Sequence, residues 1–123
     1  MRRPVHFEIH VDDPARAQKF YQTLFGWTFQ QYGDIGYWVI NTGPDDQPGI
    51  NGGMLPRQGG SGDRVVGWVC TVEVEDLDAA LETVEANGGA VAMPKDDMGG
   101  IGWVAYAFDP ERNIFGMIQN KPT

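Results

Sequence analysis

The sequence predicts an α+β fold built from two tandem β-α-β-β-β modules, and two observations carry that reading. The chain repeats itself: setting Asp13 against Asp76, 63 residues apart, also brings Gly26 onto Gly89 and Gly53-Met54-Leu55 onto Gly116-Met117-Ile118. Each copy also opens in the same way, with an alternating strand that runs into a capped helix. HFEIHV (6–11) leads to Asp13-Pro14, and VCTVEV (69–74) leads to Glu75-Asp76.

In the first module, Phe7, Ile9 and Val11 alternate with His6, Glu8 and His10, the two-residue period of a strand with one apolar face. Asp13 suits a helix N-cap, and Pro14 the first helical position, where its missing N–H costs nothing. Ala17, Phe20, Tyr21 and Leu24 then recur at i, i+3, i+4 and i+7 as one apolar face, and Gly26 ends the helix. Strands are expected over 27–32, 36–42 and 50–55. In the second module Asp76 is the cap, and Leu77, Ala80, Leu81 and Val84 repeat the spacing. Asn87-Gly88-Gly89 supplies left-handed residues to close that helix. Its strands are expected over 90–93, 102–108 and 114–119. GYWVINTGPD (36–45) aligns with GWVAYAFDPE (102–111) after a three-residue shift.

The modules are therefore 1–55 and 65–123, joined by a Gly- and Ser-rich connection, 56–64, and together they make one domain. A unit of about 60 residues buries little of its surface alone. Two of them sharing one curved mixed sheet, with the helices outside, meet both that need and the need to cover each sheet.

Composition narrows the partners. The formal charge of −8 opposes phosphate backbones, which excludes nucleic acid and favours neutral or cationic small molecules. No apolar run approaches the roughly 18 residues of a membrane span. MRRPVHFEIH lacks the apolar stretch of a signal peptide, so a cytoplasmic location without membrane association is expected. Cys70 is the single cysteine, which rules out an intrachain disulfide and a cysteine-based zinc site.

HFEIHVDDPARAQKFYQTLFGW, VEVEDLDAALETVEANGGAV and AFDPERNIFGM together resemble the vicinal oxygen chelate superfamily, which includes glyoxalase I, bleomycin-resistance proteins and extradiol dioxygenases. The resemblance spans essentially the whole chain. It implies paired modules forming a cup-shaped sheet around a cavity, and commonly a homodimer. It also implies metal ligands on the first and last strands of each module in metal-dependent members. His6 matches such a position. Val69, Gly116 and Gly53 stand at the other three and offer no donor. Zinc and non-haem iron sites take about three protein ligands, so no metal or other cofactor is expected, a divalent ion held in some other way being the alternative.

The family geometry turns His6, Glu8 and His10 into the cup, and by the same register Val69, Thr71 and Glu73. His6, Glu8 and His10 are the candidates for acid–base chemistry, since imidazoles titrate near neutrality and a carboxylate tunes them. Trp38 and Trp103, which nearly correspond across the repeat, read either as core wedges or as stacking surfaces for a flat ligand. Two kinds of function follow. One is a binding protein of the bleomycin-resistance type that holds a small molecule in an acidic cup without a catalytic metal. The other is a glyoxalase- or dioxygenase-type enzyme. It would be either a metal-dependent lyase or oxygenase, or a metal-independent lyase or isomerase using His6, Glu8 or His10.

Overall fold

The computed structural model describes residues 2–57 and 65–122. Most of the expected connection, residues 58–64 with Ser61, lies outside the described residues. The chain divides into two compact units, one of residues 6–69 and one of residues 70–122 together with residues 2–5. Each has the βαβββ order that makes the fold α+β.

The first unit contains β1 (Pro4–Val11), whose first two residues belong to the other unit. It continues with α1 (Pro14–Phe25), β2 (Thr28–Tyr32), β3 (Tyr37–Asn41) and β4 (Gly52–Pro56). The strands are ordered β2-β3-β4-β1, with β1 parallel to β4 and the other pairs antiparallel. The side chain of Asp13 accepts from the Arg16 N–H at 3.1 Å, closing the N-terminus of α1. Gly26 closes the other end at φ 75°, a left-handed conformation that costs glycine little. Phe7, Ile9, Val11, Ile40 and Met54 form the core under α1, joined by Ala17, Tyr21, Trp27, Phe29 and Trp38.

The expected apolar face of α1 divides. Ala17 and Tyr21, one i, i+4 ridge, meet the core. Phe20 and Leu24, the neighbouring ridge, turn outward and are exposed.

The second unit holds most of β5 (Trp68–Glu73), then α2 (Leu77–Ala86), β6 (Ala90–Asp97), β7 (Trp103–Phe108) and β8 (Ile114–Gln119), ordered β5-β8-β7-β6. A short 3₁₀ turn, Gly99–Ile101, links β6 to β7. Asp76 caps α2 by accepting from the Ala79 N–H at 3.1 Å. At the far end Gly88, not Asn87, takes the positive φ of 91°. Strand β6 runs four residues beyond its expected end, through irregularities between Val91 and Asp96 that keep it paired to β7. Leu77, Ala105, Ala107 and Met117 form this unit's core, with Trp103 and Phe115 against it.

The register corrects one correspondence. Trp38 is opposite Met54 on β4, while Ala105 is opposite Met117, the repeat counterpart of Met54, on β8. The partner of Trp38 across the repeat is therefore Ala105 and not Trp103. Matching the two β3-type strands takes one residue more of shift than their similar lettering implies.

Leu77, the first residue of α2, is fully buried, so Leu77→Ala should cost about 3 kcal/mol through lost transfer energy and the cavity left behind. Asp76→Ala should cost about 1 kcal/mol through the lost cap. Urea denaturation of the two variants checks both values and their order.

Candidate functional site

The first unit's polar face is set by ladder register. Glu8, Gly53 and Val39 form one cross-strand row, while the next row, Ile9, Met54 and Trp38, faces the core under α1. His6 and His10 share the face of Glu8 by alternation. Glu8 and His10 are buried and His6 is half-buried.

Tyr37, which the sequence reading did not single out, organises this wall. Its hydroxyl lies 2.9 Å from His6 Nε2 and hydrogen-bonds Glu8. The room for it comes from Gly53: a Cβ at that position would lie closer to the Tyr37 hydroxyl than any contact distance allows. The space at Gly53, where the resemblance implies a ligand, is thus filled by a phenol from a neighbouring strand. A sequence signal existed. Tyr37 precedes Val39, the cross-strand partner of Gly53, by two residues, so it sits diagonally on the same face within reach.

Protonation follows from the surroundings. Burial first, then the charge and hydrogen bond of Glu8, push the Tyr37 phenol well above its usual range, so it stays protonated. Its O–H donates to the Glu8 carboxylate, and its oxygen accepts from His6 Nε2–H. Burial holds the His6 imidazole below 6.5, while the charge of Glu8 pulls weakly the other way. His6 is therefore neutral at pH 7, with its proton on Nε2. His10 Nε2 lies 3.6 Å from Glu8 Oε1, which places a second imidazole at the same carboxylate.

In the second unit the row corresponding to Glu8, Gly53 and Val39 is Thr71, Gly116 and Tyr106. Here too a glycine stands where the family carries a ligand, and a tyrosine covers it. A Cβ at Gly116 would meet Thr71 Oγ1 at 3.0 Å and the Tyr106 ring at 3.4 Å. Thr71 is buried, and Glu73 accepts from Asn120 Nδ2 at 2.6 Å. Val69 is fully buried in the first unit, outside the core under α1.

The two tryptophans offered as stacking surfaces pack elsewhere. Trp38 sits against the core of the first unit and Trp103 against that of the second, because their strand positions share a face with Met54 and Met117. Trp103 also carries the Lys95 and Lys121 ammonium groups, each 5.2 Å from its ring centroid. Within the first unit, Trp38 does not share the face of His6, Glu8 and His10.

A metal ion of the family type does not fit these residues. Among the described residues, no three His, Cys, Asp or Glu side chains converge as a metal-binding group. His6 Nε2 already faces the Tyr37 hydroxyl, and glycine and valine have nothing to offer at the other places.

The repeated units and their strand order are similar to those of the vicinal oxygen chelate superfamily. Within it, residues 3–43 match the bleomycin resistance protein-like N-terminal family. The glyoxylase-named protein CFP32 of Mycobacterium bovis is 28% identical over 94% of this chain and 45% of its own length. The anthracycline biosynthesis protein DnrV of Streptomyces peucetius is 29% identical over 93% of this chain and 46% of its own length. The chain thus spans about half the length of these curated relatives. The crystal structure of methylmalonyl-CoA epimerase from Mycobacterium tuberculosis shares the fold, with a TM-score of 0.62 and 16% identity over 97% of this chain and 88% of that one.

Gly53→Ala should drive the Tyr37 ring off its place and cost about 2–3 kcal/mol, more than Gly116→Ala, read as a fall in melting temperature. The lowered His6 pKa also has a pH signature. The unfolded chain binds the proton more readily, so the contribution of His6 to stability is full above pH 6.5 and declines as the pH falls from there towards the native value. NMR titration should place His6 below 6.5 and, in Glu8→Gln, lower still.

Proposed function

We propose that the protein binds a small neutral or cationic molecule against the His6–Glu8 wall of its first unit, without a catalytic metal. The observation that supports this most is the Gly53–Tyr37 exchange. It replaces a would-be ligand on the closing strand with a phenol and engages His6 and Glu8 in one hydrogen-bonded set. Polar groups held in place in this way orient a bound molecule without having to be ordered first. The chain's charge of −8 raises the local concentration of cations. The name of DnrV and the family model covering 3–43 point to planar polycyclic and glycopeptide antibiotics as the first molecules to try. A cytoplasmic homodimer completes the reading. Among the described residues, no helix is long and apolar enough to cross a membrane.

A second reading is favoured by one observation, the neutral His6. A half-buried imidazole without a proton to lose first is a ready general base, as a metal-independent lyase or isomerase needs. The names of the glyoxylase-type and epimerase relatives are in keeping with it.

Two measurements on the purified protein test the proposal. Elemental analysis should find zinc, nickel, iron and manganese well below one per chain. Titration with anthracyclines and bleomycin should change tryptophan emission or raise the melting temperature, with binding weakened about tenfold in Glu8→Gln for cationic ligands. A stoichiometric transition metal, or no response to any ligand, would overturn the reading. Turnover of a ligand that is lost in His6→Ala would establish the second reading instead.

A further inference from the structure

The helix α1 has an outer face that nothing in its unit covers. None of its 12 residues is buried. Phe20, Leu24 and Phe25 are 58, 56 and 53% exposed, and Trp68 beside them is 52% exposed. These rings are not isolated. Trp68 stacks on buried Phe7 with centroids 5.3 Å apart, Trp27 lies 5.8 Å from Trp68, and Phe25 lies 5.0 Å from Trp27. Trp68 Nε1 donates to the Tyr21 hydroxyl at 3.2 Å. A continuous aromatic column therefore runs from the core to the surface, held in place and costing little entropy to use in binding.

The internal repeat shows that the fold does not require this face. Across the 63-residue offset, Phe20, Leu24 and Phe25 correspond to Thr83, Asn87 and Gly88. No large apolar side chain of α2 is exposed. The same unit folds with polar residues at those places.

Charge and shape say what covers it. Residues 14–33 contain no Asp or Glu, the longest such run in a chain with 17 acidic residues, and they carry Arg16 and Lys19. Two copies at −8 repel one another, so a helix without carboxylates is where they can approach. Asp13 caps the N-terminus of α1, but its last turn has no basic residue, which leaves the C-terminal end of the helix dipole uncompensated. In a two-fold pair whose axis stands perpendicular to α1 the helices run antiparallel. Arg16 and Lys19 of each copy then lie towards the C-terminal carbonyls of the other. A groove of about 540 Å³ bounded by Asp12, Asp13, Arg16, Phe20, Arg57 and Trp68 lies beside the helix, its two carboxylates facing two guanidinium groups, and can receive a projecting side chain. Large side chains bury about 150–250 Å² each when covered, so these half-exposed ones and Val66 offer on the order of 500 Å² per copy. The two copies together reach roughly 1,000 Å², about the least that a biological interface buries.

We propose that the exposed face of α1, with Trp68, is a two-fold interface between two copies of this chain. The inference takes up the homodimer of the proposed function and names its surface.

Sedimentation velocity over a concentration series tests it, comparing the native chain with the double variant Phe20→Thr, Leu24→Asn, which carries the α2 residues. The native chain should be dimeric at tens of micromolar. The variant should dissociate roughly 100-fold more readily with its circular dichroism unchanged. A second measurement does not depend on that variant folding: Leu24→Cys in a Cys70→Ser background should form a disulfide-linked dimer on mild oxidation. A dimer that ignores both substitutions and does not cross-link overturns this interface but leaves a homodimer standing. A native chain that is monomeric throughout overturns both. Monomers that bind anionic vesicles through the same face would assign it to lipid and overturn the proposal.

Discussion

The first unit depends on one exchange of space: a glycine on β4 gives up its side chain, and a tyrosine hydroxyl from β3 takes the place. The hydroxyl then stands between an imidazole and a carboxylate that would otherwise be costly to bury. Unpartnered, the Glu8 carboxylate would pay a large desolvation cost at that depth. Joined to Tyr37 and close to His10, it is tolerated, and it holds the phenol protonated. The protonation states of Tyr37 and His6 and the fixed geometry of the wall follow from that one close approach.

The two units form an internal comparison. The rows Glu8–Gly53–Val39 and Thr71–Gly116–Tyr106 occupy the same place in the same ladder. In both, tyrosine covers glycine, but by different routes, directly across the row in the second unit and diagonally in the first. The ladder is shared because strand pairing and helix capping demand it. The side chains on the polar face are not shared, because nothing in the fold requires them to be. The same contrast separates α1, with its outward Phe20 and Leu24, from α2.

A superfamily that supports many chemistries on one scaffold leaves function to the site. Here the site has kept one ligand-type residue, His6, and has turned it towards a phenol. The relatives, about twice as long as this chain, carry names from glyoxylase and anthracycline-biosynthesis chemistry. Their likeness bears on the architecture, and the wall around Tyr37 is particular to this chain's own residues.

Much of the architecture was legible in the sequence because it depends on local rules. Asp13 and Asp76 mark helix starts, Gly26 and Gly88 mark helix ends, and the alternation in HFEIHV separates a core face from a polar one. These signals act over a few residues, and the repeat states each of them twice. The sequence also showed that three inherited ligand positions lack donors. What it did not show was set by strand register and helix rotation. Those determined that Trp38 and Trp103 face the cores, that Phe20 and Leu24 face outward, and that Tyr37 fills the space above Gly53. Each of these depends on which residue lies opposite which across strands far apart in the chain. A one-residue difference in that pairing sends a side chain to the other face, and only the folded ladder sets it.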